Sequence, residues 1–130
     1  MVEIFKALAD ENRLRVFIIL LYDELCVCEL EVILNLSQSN VSKHLSKLRA
    51  AGIIESQKDA QWVHYKVSEA FKREQPELVK ALEKSILANI EAMDDLRRLK
   101  RYRETALNCQ EINKDRAHVI ETINKEWIYE

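Results

Sequence analysis

Apolar residues recur at helical spacing through the first part of the chain. Leu14, Phe17, Ile18 and Leu21 follow one another at intervals of three and four residues, which predicts a helix with one buried stripe that Asp10 can cap. Two shorter apolar series with the same period predict a helix on either side of it: Ile4, Phe5 and Leu8, and Val27, Leu30, Ile33 and Leu34. The sequence therefore predicts three helices before residue 35.

A fourth helix is predicted directly after them. Ser37 is a suitable N-cap, and Gly52 is suited to end the helix because glycine adopts the left-handed conformation at little cost. The apolar positions of this helix are Val41, Leu45 and Leu48. Residues 35–37 link it to the third helix and are few enough to force a sharp turn, so the two helices form a helix-turn-helix.

The pattern changes from helical to alternating after Gly52. Residues 53–57 and 62–67 predict two β-strands joined by a turn at residues 58–61, which gives a β-hairpin, or wing. From Pro76 an apolar stripe then predicts one uninterrupted helix of about six turns. Its positions are Leu78, Leu82, Ile86, Ile90, Met93, Leu96 and Leu99. So long a stripe needs a partner surface, and a second copy of the chain is the simplest partner.

The rest of the chain is polar with a few apolar positions. These are Val119, Ile120, Ile123 and Trp127, and they predict a further helix. We therefore expect a winged helix-turn-helix domain for DNA binding and dimerisation over residues 1–103 and a helical C-terminal tail over residues 104–130. The predicted fold class is mainly α with a small β-hairpin, dimerising through terminal helices.

Composition and charge support this interpretation. One glycine and one proline in 130 residues favour long helices over a turn-rich β protein. The net charge is −2, yet residues 37–66 carry five basic and two acidic side chains, whereas residues 1–36 carry three basic and seven acidic ones. The helix-turn-helix and wing are thus the segment suited to phosphate contacts. An odd number of cysteines and the lack of a signal peptide or long apolar run predict a cytoplasmic protein with no membrane partner.

Two cysteines lie just upstream of the predicted recognition helix. Cys26 and Cys28 are one residue apart, and a thiol pair beside a nucleic-acid-binding element suggests that chemistry at sulfur controls DNA affinity. Three stretches, residues 8–15, 36–52 and 61–65, resemble the ArsR/SmtB family of metal-responsive transcriptional repressors. Residues 24–30 look like the thiol motif of the branch of that family that senses arsenic and antimony.

The resemblance implies a homodimer that binds double-stranded operator DNA and releases it when arsenite, or antimonite, binds the cysteines. It implies no enzymatic activity and no catalytic cofactor. The family's motif often has a third cysteine where this chain has Glu31. Cys109, from the same or the partner subunit, is therefore the candidate third ligand. Water, chloride or glutathione are the alternatives. On a regular helix residues i and i+2 lie about 200° apart, so we expect chelation by Cys26 and Cys28 to distort the start of the third helix.

The candidate DNA contacts lie on the recognition helix and the wing. The N-terminal residues of such a helix enter the major groove, where amide, hydroxyl and basic side chains contact bases and phosphates. The candidates on the helix are Ser37, Gln38, Ser39, Asn40, Ser42, Lys43, His44 and Lys47, and those on the wing are Lys58, Gln61, His64 and Tyr65.

Other functions fit the sequence less well. A repressor of the same fold could respond to cadmium, lead or thiol oxidation. A thiol oxidoreductase is disfavoured because the chain lacks a Cys-x-x-Cys motif and a glycine-rich phosphate loop. A winged helix that mediates only protein contacts would leave the cysteine pair without a role.

Overall fold

Twelve helices and strands, with one 3-10 turn, make up the part of the chain that the computed structural model describes, residues 1–105 and 107–124. In chain order they are α1 (Val2–Leu8), α2 (Glu11–Tyr22), β1 (Leu25–Cys26), α3 (Val27–Leu34), α4 (Gln38–Ala50), β2 (Ile54–Asp59), β3 (Trp62–Val67), α5 (Glu69–Glu74), α6 (Pro76–Ser85), the 3-10 turn (Ile86–Ala88), α7 (Ile90–Glu104), α8 (Cys109–Lys114) and α9 (Arg116–Asn124). The predicted fold class, mainly α with a β-hairpin wing, is confirmed.

The helix ends are fixed by the side chains that the sequence predicts. The Asp10 carboxylate accepts a hydrogen bond from the Arg13 amide at 3.0 Å, which caps α2 and lowers the pKa of Asp10 below its usual value. The Ser37 hydroxyl accepts one from the Asn40 amide at 3.3 Å and caps α4, the recognition helix. Beyond α4 the chain turns at Gly52, whose φ of 75° lies in the left-handed region.

The core lies where α2, α3 and α4 meet the small sheet. Phe17, Ile33 and Leu48 are fully buried, one from each of the three helices. Val67 at the end of β3 joins them from the sheet side. This packing places the recognition helix on the outside of the domain with its polar face free.

The sheet has one strand more than the sequence predicts. Its order is β1-β3-β2, with both pairs antiparallel. The unpredicted strand β1 is only two residues long, and it pairs Cys26 with His64 of the wing. The hairpin turn is shorter than predicted, because β2 continues to Asp59 and Ala60 takes up a φ of 56°.

The prediction of one uninterrupted terminal helix is wrong. The 3-10 turn separates α6 from α7, and Asn89 begins α7 by accepting a hydrogen bond from the Ala92 amide at 3.0 Å. Asparagine bonds local backbone groups well, so it favours a helix start over a helix interior. The short helix α5, capped by Ser68, was also not predicted.

The described part of the tail forms two short helices that fold back on the body. Helices α8 and α9 are joined by Asp115 alone and pack against α3 and α7. Ile112, Val119 and Ile123 are the residues that they bury. The predicted apolar position Trp127 lies outside the described residues. Within the described ranges, no helix has both the length and the apolar character needed to cross a bilayer.

Candidate metal-binding and DNA-recognition site

The Cys26 and Cys28 sulfurs meet at the start of α3. Cys26 is the N-cap of that helix and has an extended backbone, with φ −94° and ψ 170°, whereas Cys28 lies in the first turn. The two Sγ atoms are 3.1 Å apart. The premise that both cysteines lie on a regular helix is therefore wrong, because the 200° separation does not apply to a residue that precedes the helix.

Cys109 lies beside this pair although it is 83 residues from Cys26 in the sequence. It is the first residue of α8, and its sulfur contacts those of both Cys26 and Cys28. One sulfur forms a disulfide with only one partner, so the arrangement is a cluster of three sulfurs rather than two disulfides. The three sulfurs lie within 4.8 Å of one another and could hold a metal ion.

A partly buried hydrogen-bond network surrounds Cys26. The Glu29 carboxylate accepts hydrogen bonds from the Cys26 amide at 3.0 Å, from its sulfur at 3.2 Å and from the Tyr102 hydroxyl at 2.6 Å. Burial, with the neighbouring Glu29 as a further cause, raises the pKa of Tyr102, which therefore stays protonated and donates. No feature of the sequence predicts this link between α7 and the thiol pair.

A cavity of about 390 Å³ opens from the sulfurs toward the recognition helix. Its lining comes from the thiol pair, α3, the start of α4, the wing and α8: Cys26, Val27, Cys28, Glu31, Gln38, Trp62, Val63 and Asn113. The thiol site and the first residue of the recognition helix thus border the same space.

Most of the predicted DNA-contact residues are exposed. The exposed candidates on and before α4 are Ser37, Gln38, Ser39, Asn40, Ser42, Lys43 and Lys47, and those at the wing tip are Lys58 and Gln61. His64 and Tyr65 are half-buried on β3. Tyr65 lines a cavity between the wing and α4 together with Ser42 and Arg49.

The structure does not support a DNA contact for His44. Its side chain turns inward, leaving the residue 6% exposed, and its Nε2 lies 3.9 Å from Asp10 Oδ1 at the start of α2. Burial lowers the pKa of His44, against the opposing effect of Asp10, so the imidazole is neutral at pH 7. The predicted DNA contact failed because His44 lies next to Leu45, at the edge of the buried stripe of α4. At such a position the residue type does not show whether the ring points inward or outward.

Residues 10–56, which contain α2, β1, α3 and α4, match the family model described as bacterial regulatory protein, arsR family. The chain contains an arsR-family helix-turn-helix domain. Its winged helix-turn-helix resembles that of reduced HlyU from Vibrio cholerae N16961, with a TM-score of 0.54 and 42% identity over 62% of this chain and 85% of that chain. Family members are regulatory proteins, so the prediction that the chain is not an enzyme is confirmed.

The curated relatives that match this chain are named for resistance to different elements. The chain is 41% identical over 85 residues to the arsenic resistance transcriptional regulator ArsR1 of Pseudomonas putida, covering 65% of this chain and 63% of the relative. It is 44% identical over 62 residues to the cadmium resistance regulator CadC of Listeria innocua, covering 47% of this chain and 52% of the relative. The matched part thus spans less than two thirds of either relative.

Proposed function

We propose that this protein is a cytoplasmic transcriptional repressor that binds operator DNA as a homodimer and releases it when trivalent arsenic or antimony binds Cys26, Cys28 and Cys109. The observation that carries the proposal is the cluster of three sulfurs beside the recognition helix. Soft thiolates suit thiophilic ions, and trivalent arsenic takes up to three of them in a pyramid. Arsenic resistance regulators among the relatives support the choice of inducer.

The DNA half of the proposal rests on the open polar face of α4 and on the wing. Gln38, Asn40 and Lys43 are at the end of the helix that enters a major groove in this motif. In a symmetric dimer two such helices would contact half-sites about one helical turn of DNA apart. Lys58 at the wing tip would add a contact to the phosphate backbone.

The cluster also suits two other signals. A soft divalent metal such as cadmium binds thiolates, and one relative is a cadmium resistance regulator. The contacts of Cys109 with both other sulfurs would equally allow an oxidant to form one disulfide between the tail and α3. Both alternatives use the same three residues and differ only in the inducer.

The test is fluorescence anisotropy of the reduced protein on DNA from upstream of its own gene, titrated separately with arsenite, cadmium and a thiol oxidant. Arsenite should release the DNA, and single substitutions Cys26→Ser, Cys28→Ser and Cys109→Ser should each weaken that response while leaving DNA binding intact. Release of the DNA by cadmium alone or by the oxidant alone would mean that this signal, and not arsenite, is the inducer. A protein that does not bind this DNA would refute the proposal that it is a repressor.

The role of Cys109 has its own readout in that experiment. A site of three thiolates predicts that C109S retains two ligands, so its arsenite affinity should fall by at least tenfold, a loss of about 1.4 kcal/mol. An arsenite response of C109S equal to that of the wild type would show that the site uses Cys26 and Cys28 with an external third ligand.

A further inference from the structure

Helices α8 and α9 connect the sulfur cluster to the turn of the helix-turn-helix. Cys109 is the first residue of α8 and Arg116 the first of α9, with only Asp115 between the two helices. The Asp115 carboxylate accepts a hydrogen bond from the His118 amide at 3.0 Å, which stiffens this junction. Ile112 and Val119 bury one apolar side chain from each helix against the body. A displacement of Cys109 is therefore expected to move Arg116 with it.

Arg116 holds two groups on either side of the turn. Its Nη1 donates to Glu31 Oε1 on α3 at 2.7 Å, and its Nη2 donates to the backbone carbonyl of Leu36 at 3.1 Å. Guanidinium presents its donors in a fixed planar arrangement, so one side chain can hold two acceptors in a set geometry. Leu36 directly precedes Ser37, the cap of the recognition helix.

Two other arginines hold the end of α3, but they belong to the body of the domain. Arg15 on α2 donates to the Leu34 carbonyl and Arg98 on α7 to the Ile33 carbonyl, each at 2.7 Å. Both also pair with Asp95, which is 1% exposed. These contacts fix α3 to α2 and α7 whatever the tail does. Arg116 differs because it comes from the helices that carry Cys109.

We propose that Arg116, paired with Glu31, is the positioning residue that carries ligand binding at Cys109 to the start of the recognition helix. The inference rests on the proposed function. A ligand that joins Cys109 to Cys26 and Cys28 changes the position of α8 on α3. Arg116 carries that change to the Leu36 carbonyl, so the turn and the start of α4 no longer take the position that fits the operator.

The same arrangement gives Glu31 a role. Glu31 stands where the resemblance to the arsenic-sensing branch leads one to expect a third cysteine. Here the third thiol comes from the tail, and position 31 anchors that tail through Arg116. Glu31 also lines the cavity shared by Cys28, Gln38 and Asn113 of α8, so the anchor lies between the ligand site and the recognition helix.

The experiment compares the operator dissociation constant with and without arsenite for the wild type, Arg116→Gln and Glu31→Gln. Arsenite stoichiometry is measured separately from sulfur-to-arsenic absorbance. Both variants should bind arsenite with wild-type stoichiometry. The operator dissociation constant with arsenite, divided by that without arsenite, should fall from an allosteric ratio of roughly 5 to 150 toward 1.

The matched control is Lys114→Gln, which removes one positive charge from α8. The Lys114 side chain is 73% exposed and pairs only with Glu111 among the described contacts. K114Q should keep the wild-type ratio.

A charge reversal separates positioning from stability. The double variant E31R/R116E restores the ion pair but leaves the Leu36 carbonyl without its donor, so its thermal stability should recover while the ratio stays near 1. Thermal unfolding without ligand records any loss of stability in each variant. A wild-type ratio in both R116Q and E31Q would overturn the inference alone, whereas a wild type that arsenite does not release would overturn the proposed function and the inference with it.

Discussion

At the scale of single residues, His44 shows how burial changes what a side chain does. Because burial lowers the pKa of its imidazole, folded His44 resists protonation, while the unfolded chain binds a proton near the usual histidine pKa of about 6.5. The unfolded state then binds more protons below that pH, so acidification favours unfolding.

We predict that the wild-type free energy of unfolding decreases as pH falls from 8 through 6.5 to 5. In His44→Gln this decrease should be smaller, because the titrating group is gone. Urea denaturation at several pH values measures both proteins. His118→Gln, at an exposed position on α9, is the control and should follow the wild type. Equal slopes in the wild type and H44Q would contradict the prediction.

At the scale of elements, the N-caps decide where helices begin. Asp10, Ser37, Ser68 and Asn89 each accept a hydrogen bond from the amide three residues on. Asn89 has the largest consequence, since it divides a stripe whose periodicity alone predicts one long helix. The division turns α7 to pack along α2 and brings Tyr102 to Glu29.

Asn89→Ala is predicted to lower the free energy of unfolding by about 1 kcal/mol, the usual cost of removing a cap. Asn89→Ser retains an acceptor and should lose less. Chemical denaturation followed by circular dichroism measures both variants. An N89A protein that is more stable and more helical than the wild type would mean that alanine lets α6 and α7 join into the single helix that the stripe predicts.

At the scale of the whole molecule, exposed apolar residues mark the candidate dimer surface. Leu87 and Ile90, at the break before α7, are 82% and 79% exposed, and Val2 and Phe5 on α1 are also exposed. The proposed homodimer would cover such residues. This surface differs from the predicted one, because Ile86 and Leu99 of the stripe are buried within the chain itself.

Sedimentation of the double variant Leu87→Ser, Ile90→Ser should show a weakened dimer. A symmetric dimer buries four such side chains, two from each subunit, and their full burial contributes about 6 kcal/mol or more, which corresponds to a dissociation constant roughly 10⁴-fold higher. Val63→Ser, which alters an exposed apolar residue on the wing, should leave the dimer unchanged. A double variant that associates like the wild type would direct attention to α1, and a monomeric wild type at micromolar concentration would refute the dimer.

The features that depend on neighbouring residues could be predicted from the order of residues alone. The apolar period gives α2, α3 and α4, the caps Asp10 and Ser37 give two of their starts, and Gly52 gives the turn after them. Each of these depends on contacts within a few residues, so local spacing is sufficient to predict it. The family resemblance is carried by the same segment.

The contacts between distant groups could not be predicted in this way and are known from the fold. Cys109 reaches the thiol pair because α8 folds back on α3, and Arg116 reaches the Leu36 carbonyl for the same reason. His44 points inward because α2 packs over it. These contacts join residues far apart in the chain, and no periodicity encodes them, since they depend on how whole helices pack rather than on the order of residues within one.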